Sequence, residues 1–110
     1  KMAKSTSLET KLIVHGDLIS QPVRAVLGFC HHTGIPFEFK ALNVFRGGTH
    51  TAEYKQIHPM EQIPAIQEIT GGEVFNLGES HTIMRYLAET RQVADHWYPR
   101  EPKARAVVNQ

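Results

Sequence analysis

Apolar positions along the chain form short runs whose period changes from one segment to the next. Leu12-Ile13-Val14 is a β-branched run closed by His15-Gly16-Asp17, and it predicts a buried strand. Ser20-Gln21-Pro22 then opens a helix, because serine caps well and proline is tolerated in a first turn. Val23, Val26, Leu27 and Cys30 follow at i, i+3, i+4 and i+7, one apolar stripe, and Gly34 with Pro36 marks its end. Phe37, Phe39, Ala41 (or Leu42) and Val44 predict a second strand. Strand, helix and strand at this spacing make a βαβ unit with parallel strands and a right-handed crossover. Arg46-Gly47-Gly48 reads as a loop, with Thr49 or Thr51 capping a short helix that stops before Pro59. Ile63-Pro64-Ala65-Ile66 leads into a third strand ending near Ile69. Thr70-Gly71-Gly72-Glu73 turns the chain into a fourth strand, Val74 to Leu77. Gly78-Glu79-Ser80 starts another helix with Ile83, Met84 and Leu87 on its buried face.

Composition narrows the class. The 110 residues suit one compact domain, and 12 Lys+Arg against 11 Asp+Glu leave no basic field for nucleic acid. The longest apolar stretch, Ala25 to Cys30, is far short of the ~20 residues a membrane span needs. The single cysteine excludes an internal disulfide and a C-x-x-C dithiol, and no HExxH or paired Cys/His spacing announces a metal. A reducing compartment is expected: the cytoplasm, or the mitochondrion if the polar Lys1–Lys11 segment is what remains of a presequence. Residues 1–10 read as a polar tail. Residues 92–110 read as an aromatic connector, Trp97-Tyr98-Pro99, and a helix begun at Lys103 that meets no stop signal by Gln110. A longer parent, cut within its next helix, is the favoured reading of that end.

By residue type alone, Ser20 is an N-cap, Pro64 an X–Pro bond of either isomer, and Glu79-Ser80 an acidic helix start. Four motifs in order change this. Asp17-Leu18-Ile19-Ser20-Gln21-Pro22-Val23-Arg24, His58-Pro59-Met60-Glu61-Gln62-Ile63-Pro64-Ala65, Leu77-Gly78-Glu79-Ser80, and His96-Trp97-Tyr98-Pro99 with Lys103-Ala104-Arg105-Ala106 resemble theta-class glutathione transferases. The likeness covers Leu12 to Val108. It implies an α/β fold: a thioredoxin-like βαβ-α-ββα domain with a four-stranded mixed sheet at 11–91, then a linker and the first turns of an all-helical domain at 92–110.

The resemblance also implies roles. Ser20 would be the catalytic group, its hydroxyl stabilising the thiolate of glutathione, the co-substrate joined to a small electrophile. Gln21 would lie in the glutathione site. Pro64 would be cis and turn the backbone of Ile63 towards the cysteinyl unit, while Glu79 and Ser80 would hold the γ-glutamyl end. Near the glycyl carboxylate the family carries a histidine and a lysine. Here Thr49 stands at the histidine position with His50 next to it, and Gln62, a neutral amide, replaces the lysine. A homodimer is expected. The same hydroxyl of Ser20 is asked both to cap and to hold sulfur, two roles that compete. The rival readings are a non-catalytic transferase-like subunit of a larger assembly and a thiol reductase working through Cys30.

Overall fold

A computed structural model describes residues 9–91. The polar tail up to residue 8 and the expected linker and helix start at 92–110 lie outside the described residues. Strand β1 (Thr10–Gly16) is followed by helix α1 (Gln21–Thr33), strand β2 (Glu38–Ala41), a 3-10 turn at Val44–Arg46, helix α2 (Ala52–Ile57), strands β3 (Ala65–Thr70) and β4 (Glu73–Gly78), and helix α3 (Ser80–Thr90). The four strands form one mixed sheet in the order β2-β1-β3-β4. β1 and β2 are parallel, and the β1–β3 and β3–β4 pairs are antiparallel. This is the expected thioredoxin-like arrangement.

Alternation along β1 sorts side chains to two faces. Leu12 and Val14 meet Val26 and Cys30 of α1, Ile66 of β3, and Ile83 and Leu87 of α3 in one buried cluster. Ile13 and His15 belong to the opposite face, which α2 covers through Tyr54. The α1 stripe is buried at Val23, Val26 and Cys30, while Leu27 is only partly covered. Gly34, with φ 78°, closes that helix by donating to the carbonyls of Cys30 and His31. Gly71 and Gly72 both take positive φ between β3 and β4, which a two-residue turn of matching twist requires.

One sequence expectation needs correction. The second strand runs only from Glu38 to Ala41, and Val44 belongs to a 3-10 turn instead. The Asn43 side chain accepts from Phe45 N and the Asp17 carboxylate accepts from Val44 N, so the backbone is drawn out of the sheet there. The third strand follows Ile63–Pro64 as expected and starts at Ala65, since proline has no N–H to give to the ladder. Of the two threonines offered as caps for α2, it is Thr51 that accepts from Tyr54 N, at 3.0 Å.

Candidate functional site

The sheet register brings distant segments to one edge. His15, Ala65 and Gly78 lie in one cross-strand row, and Gly16 pairs with Ala41. Just past the ends of these strands, β1 at Gly16, β3 at Ala65 and β4 at Gly78, stand Asp17, Pro64 and Glu79. The starts of α1 and α3, the loop ahead of Pro64 and the loop after β2 therefore share one end of the sheet. The Ile63–Pro64 peptide bond is cis.

At the first of these segments, Gly16 has no Cβ because one there would stand 2.6 Å from a Val23 methyl. That close approach lets the first turn of α1 pack against the end of β1. Asp17 then fixes the connecting loop. Its carboxylate accepts from Ile19 N and Val44 N, each at 3.1 Å, and those bonds hold its pKa below the ordinary carboxylate value. Arg24 steadies the same loop by donating to Leu18 O at 2.6 Å.

Ser20 is the N-cap of α1, and its Oγ accepts from Val23 N at 3.3 Å. The two roles foreseen for this hydroxyl do not compete after all. Capping uses a lone pair, whereas holding an anion uses the O–H, and a hydroxyl has one donor besides two acceptor sites. Donors in the first turn are few. Ser20 N is bound to Asp17 O, Val23 N is capped, and Pro22 has none, which leaves Gln21 N–H beside the Ser20 hydroxyl among the described residues.

The start of α3 is different. Glu79, at φ 70° and ψ 117°, occupies the N-cap position but makes no side-chain capping bond, so the acidic-cap reading does not hold. A non-glycine residue with positive φ is a local strain that the surrounding structure must sustain. The first helical bond runs from Ile83 N to Glu79 O. The N–H groups of Ser80, His81 and Thr82 therefore point out of the helix end next to the Ser80 hydroxyl, a set suited to a carboxylate. The ring of His58 packs against Gly78, where a Cβ would come within 2.3 Å of Nε2. The contact ties the loop before Pro64 to the residue before Glu79.

The remaining expected residues sit at the β2 side. Thr49 is buried, 7% exposed, and His50 stands exposed with its Nδ1 2.6 Å from Glu61 Oε1. Lys55 Nζ lies 3.5 Å from the other oxygen of Glu61. The His50 hydrogen bond is the main cause of a lowered Glu61 pKa. Gln62 is exposed, and its backbone oxygen accepts from the Tyr54 hydroxyl at 2.6 Å, which pins the residue before Ile63. A shallow groove of about 440 Å³ beside this end is lined by Asp17, Ile19, Leu42, Asn43 and Phe45. Phe45, Leu18 and Ile19 are 79%, 57% and 56% exposed.

A second cavity, of about 370 Å³, lies on the α2 face against His15, Tyr54 and Gln67. It is more enclosed, yet neither helix start nor the Ile63–Pro64 segment lines it. Cys30 is fully buried and its thiol is pushed up to about 11 by that burial, which removes it as a reactive group. Among the described residues no cluster of three His, Cys, Asp or Glu is placed to hold a metal, and no helix is long and apolar enough to cross a membrane.

Sequence reading missed Asp17, Glu61 and Tyr54. Asp17 carried a usable signal, since aspartate followed two residues later by a turn amide is a common loop device. The Glu61–His50 pair, eleven residues apart in two loops, carried none.

Residues 20–90 match the family model described as glutathione S-transferase, N-terminal domain. Glutathione S-transferase theta-3 of Mus musculus is 37% identical over 94 residues, covering 86% of this chain and 37% of that protein. Human glutathione transferase theta-2, solved in complex with glutathione and an unknown ligand, superimposes with a TM-score of 0.78 at 38% identity, over 89% of this chain and 39% of that one. An epsilon-class glutathione S-transferase from the housefly, Musca domestica, gives a TM-score of 0.80 at 35% identity, over 91% and 44%. The chain thus spans well under half the length of these relatives.

Proposed function

Given that the chain belongs to the glutathione S-transferase family through its N-terminal domain, we propose that it binds glutathione across the described sheet end and stabilises its thiolate for conjugation. Ser80 and the free amides of α3 hold the γ-glutamyl carboxylate, and Glu79 meets the ammonium. The backbone of Ile63, presented ahead of Pro64, pairs with the cysteinyl unit. Gln21 borders it, and Thr49, His50 and Gln62 flank the glycyl end. The sulfur then rests at the start of α1, facing the Ser20 hydroxyl and Gln21 N–H. The observation that supports this reading is the strand pairing that sets Asp17, Pro64 and Glu79 just past three strand ends at one edge, with a donor left over at both helix starts.

The energetics are adequate. A thiol of pKa ~8.5 is only a few per cent ionised at neutral pH, and lowering it by two units requires about 2.7 kcal/mol in favour of the anion. A hydroxyl donor to an anion supplies about 1.5–3 kcal/mol. The amide and dipole of a partly buried helix start add up to ~2 kcal/mol. The thiolate attacks an electrophilic centre, forming the S–C bond while the leaving group departs with its electron pair. Ser20 is no nucleophile in this scheme.

We further assign residues 11–91 to the glutathione-binding domain and 92–110 to a linker and the first turns of a helical domain. That domain, in the parent protein, completes the pocket for the electrophile beside exposed Leu18, Ile19 and Phe45. The parent acts as a cytoplasmic homodimer. Glutathione engaging its thiolate, as opposed to a scaffold role, is favoured by side chains at Glu79 and Ser80 that make no capping bond. Calorimetric titration of the chain with glutathione tests the proposal. Saturable binding that is lost in Ser80→Ala combined with Glu79→Gln supports it, and absence of binding to the unmodified chain refutes it.

A further inference from the structure

A thiol peptide bound as above must put its third residue in a definite place. Its γ-glutamyl end lies at Ser80, beyond Pro64 on the β4 side, so a cysteinyl unit paired with Ile63 runs antiparallel to the protein backbone. One residue of extended chain advances about 3.3–3.6 Å. The C-terminal residue therefore falls beside Gln62 and Glu61, which precede Ile63, and next to the loop that carries His50.

The charges there are already committed. Glu61, held at φ 57°, places one carboxylate oxygen 2.6 Å from His50 Nδ1 and the other 3.5 Å from Lys55 Nζ. Only 26% of its side chain is exposed, against 67% for His50 and 56% for Lys55, so the anion is the inner member of the cluster. Gln62 brings an amide and no charge. The arginine of the 43–51 loop, Arg46, closes the exposed 3-10 turn. A free glycyl carboxylate would thus arrive beside a fixed anion to which the His50 ring and the Lys55 ammonium are already turned.

We propose that Glu61 sets the thiol specificity of this site: the chain accepts a γ-glutamylcysteinyl peptide with an uncharged C-terminus, an ester or an amide, at least as well as glutathione itself. This rests on the glutathione reading given above, and extends it to the third residue of the ligand. Glutathione and its glycyl monoethyl ester are titrated into the 110-residue chain in low-salt buffer by calorimetry. The ester is expected to bind equally or more tightly. In Glu61→Gln, which frees His50 and Lys55, glutathione should tighten about two- to fivefold, the size of a partly exposed charge pair, while the ester stays put. Gln62→Lys, which leaves the positive-φ residue untouched, should shift the ratio in the same direction. Glutathione binding the unmodified chain more than about fivefold tighter than the ester means that Arg46 or His50 does receive the carboxylate, and overturns the assignment. So does an equal change for both ligands in the two variants. If neither thiol binds, the glutathione reading itself fails, a result distinct from a wrong preference.

Discussion

Replacing Ser20 with alanine separates two things that one oxygen does. The Oγ accepts from Val23 N at 3.3 Å, long for such a bond, so losing the cap should cost stability at the lower end of about 0.5–2 kcal/mol. The O–H is the proposed partner of the sulfur, and removing a donor to an anion forfeits about 1.5–3 kcal/mol. At 1.36 kcal/mol per unit this raises the pKa of bound glutathione by about 1–2 units. The value should stay below that of free glutathione, because Gln21 N–H and the helix start remain. Affinity at neutral pH falls only a few-fold, since the protonated thiol never used the hydroxyl as an anion donor. The assay is a pH titration of the ultraviolet thiolate absorbance of glutathione held at saturation on the unmodified chain, Ser20→Ala and Ser20→Thr. Threonine should restore both the cap and the thiolate. A bound-thiol pKa that is the same in Ser20→Ala as in the unmodified chain, alongside a measurable loss of stability, would falsify the role given to Ser20 and leave it a cap.

Three further outcomes follow from packing and protonation. Gly78→Ala sets a Cβ 2.3 Å from His58 Nε2, and should destabilise by about 1–3 kcal/mol in chemical denaturation; adding His58→Ala should recover part of it, whereas strictly additive effects would mean the two do not press on each other. Burial is the main cause that lowers the His15 pKa from 6.5, so unfolding at acid pH adds a proton. Stability from this group is complete above 6.5 and lost as pH falls through the folded value; a His15→Phe variant should show a flatter decline of melting temperature between pH 7 and 5, and an unchanged slope refutes the assignment. Cys30, fully buried with its thiol pushed up to about 11, should react with an aromatic disulfide reagent only at the rate of unfolding, and fast labelling of the native chain would contradict its place in the core.

The order of elements was legible because each carries its own punctuation. Ser20 with Pro22, Gly34 with Pro36, and Gly71-Gly72 are local signals that act through φ and through missing or extra hydrogen-bonding groups, and all three sit where the sequence places them. The second strand was overrun because hydrophobic alternation continues to Val44. What ends it is a carboxylate 27 residues away, Asp17, and no local pattern reports that. At the site, Ser20, Pro64, Glu79 and Ser80 were named through a family likeness, since by residue type each had an ordinary explanation. That the row of strand ends gathers them follows from pairing register, a property of the whole sheet. The pairing of His50 with Glu61 was invisible for the same reason, and it changes what the glycyl end has to offer.

One consequence of the strand-end row concerns folding itself. The residues proposed for the ligand come from four stretches, near 20, 50, 62 and 80, and those near 20, 62 and 80 come together only when β1, β3 and β4 pair. A disordered chain therefore offers the peptide nothing, and occupancy must act wholly on the native side of the equilibrium. At a hundred times its dissociation constant a ligand of this kind deepens the native well by about 2.7 kcal/mol. A cell that lets its pool of such thiols run down would loosen this domain as it starves it, making turnover of the polypeptide a readout of the small-molecule supply.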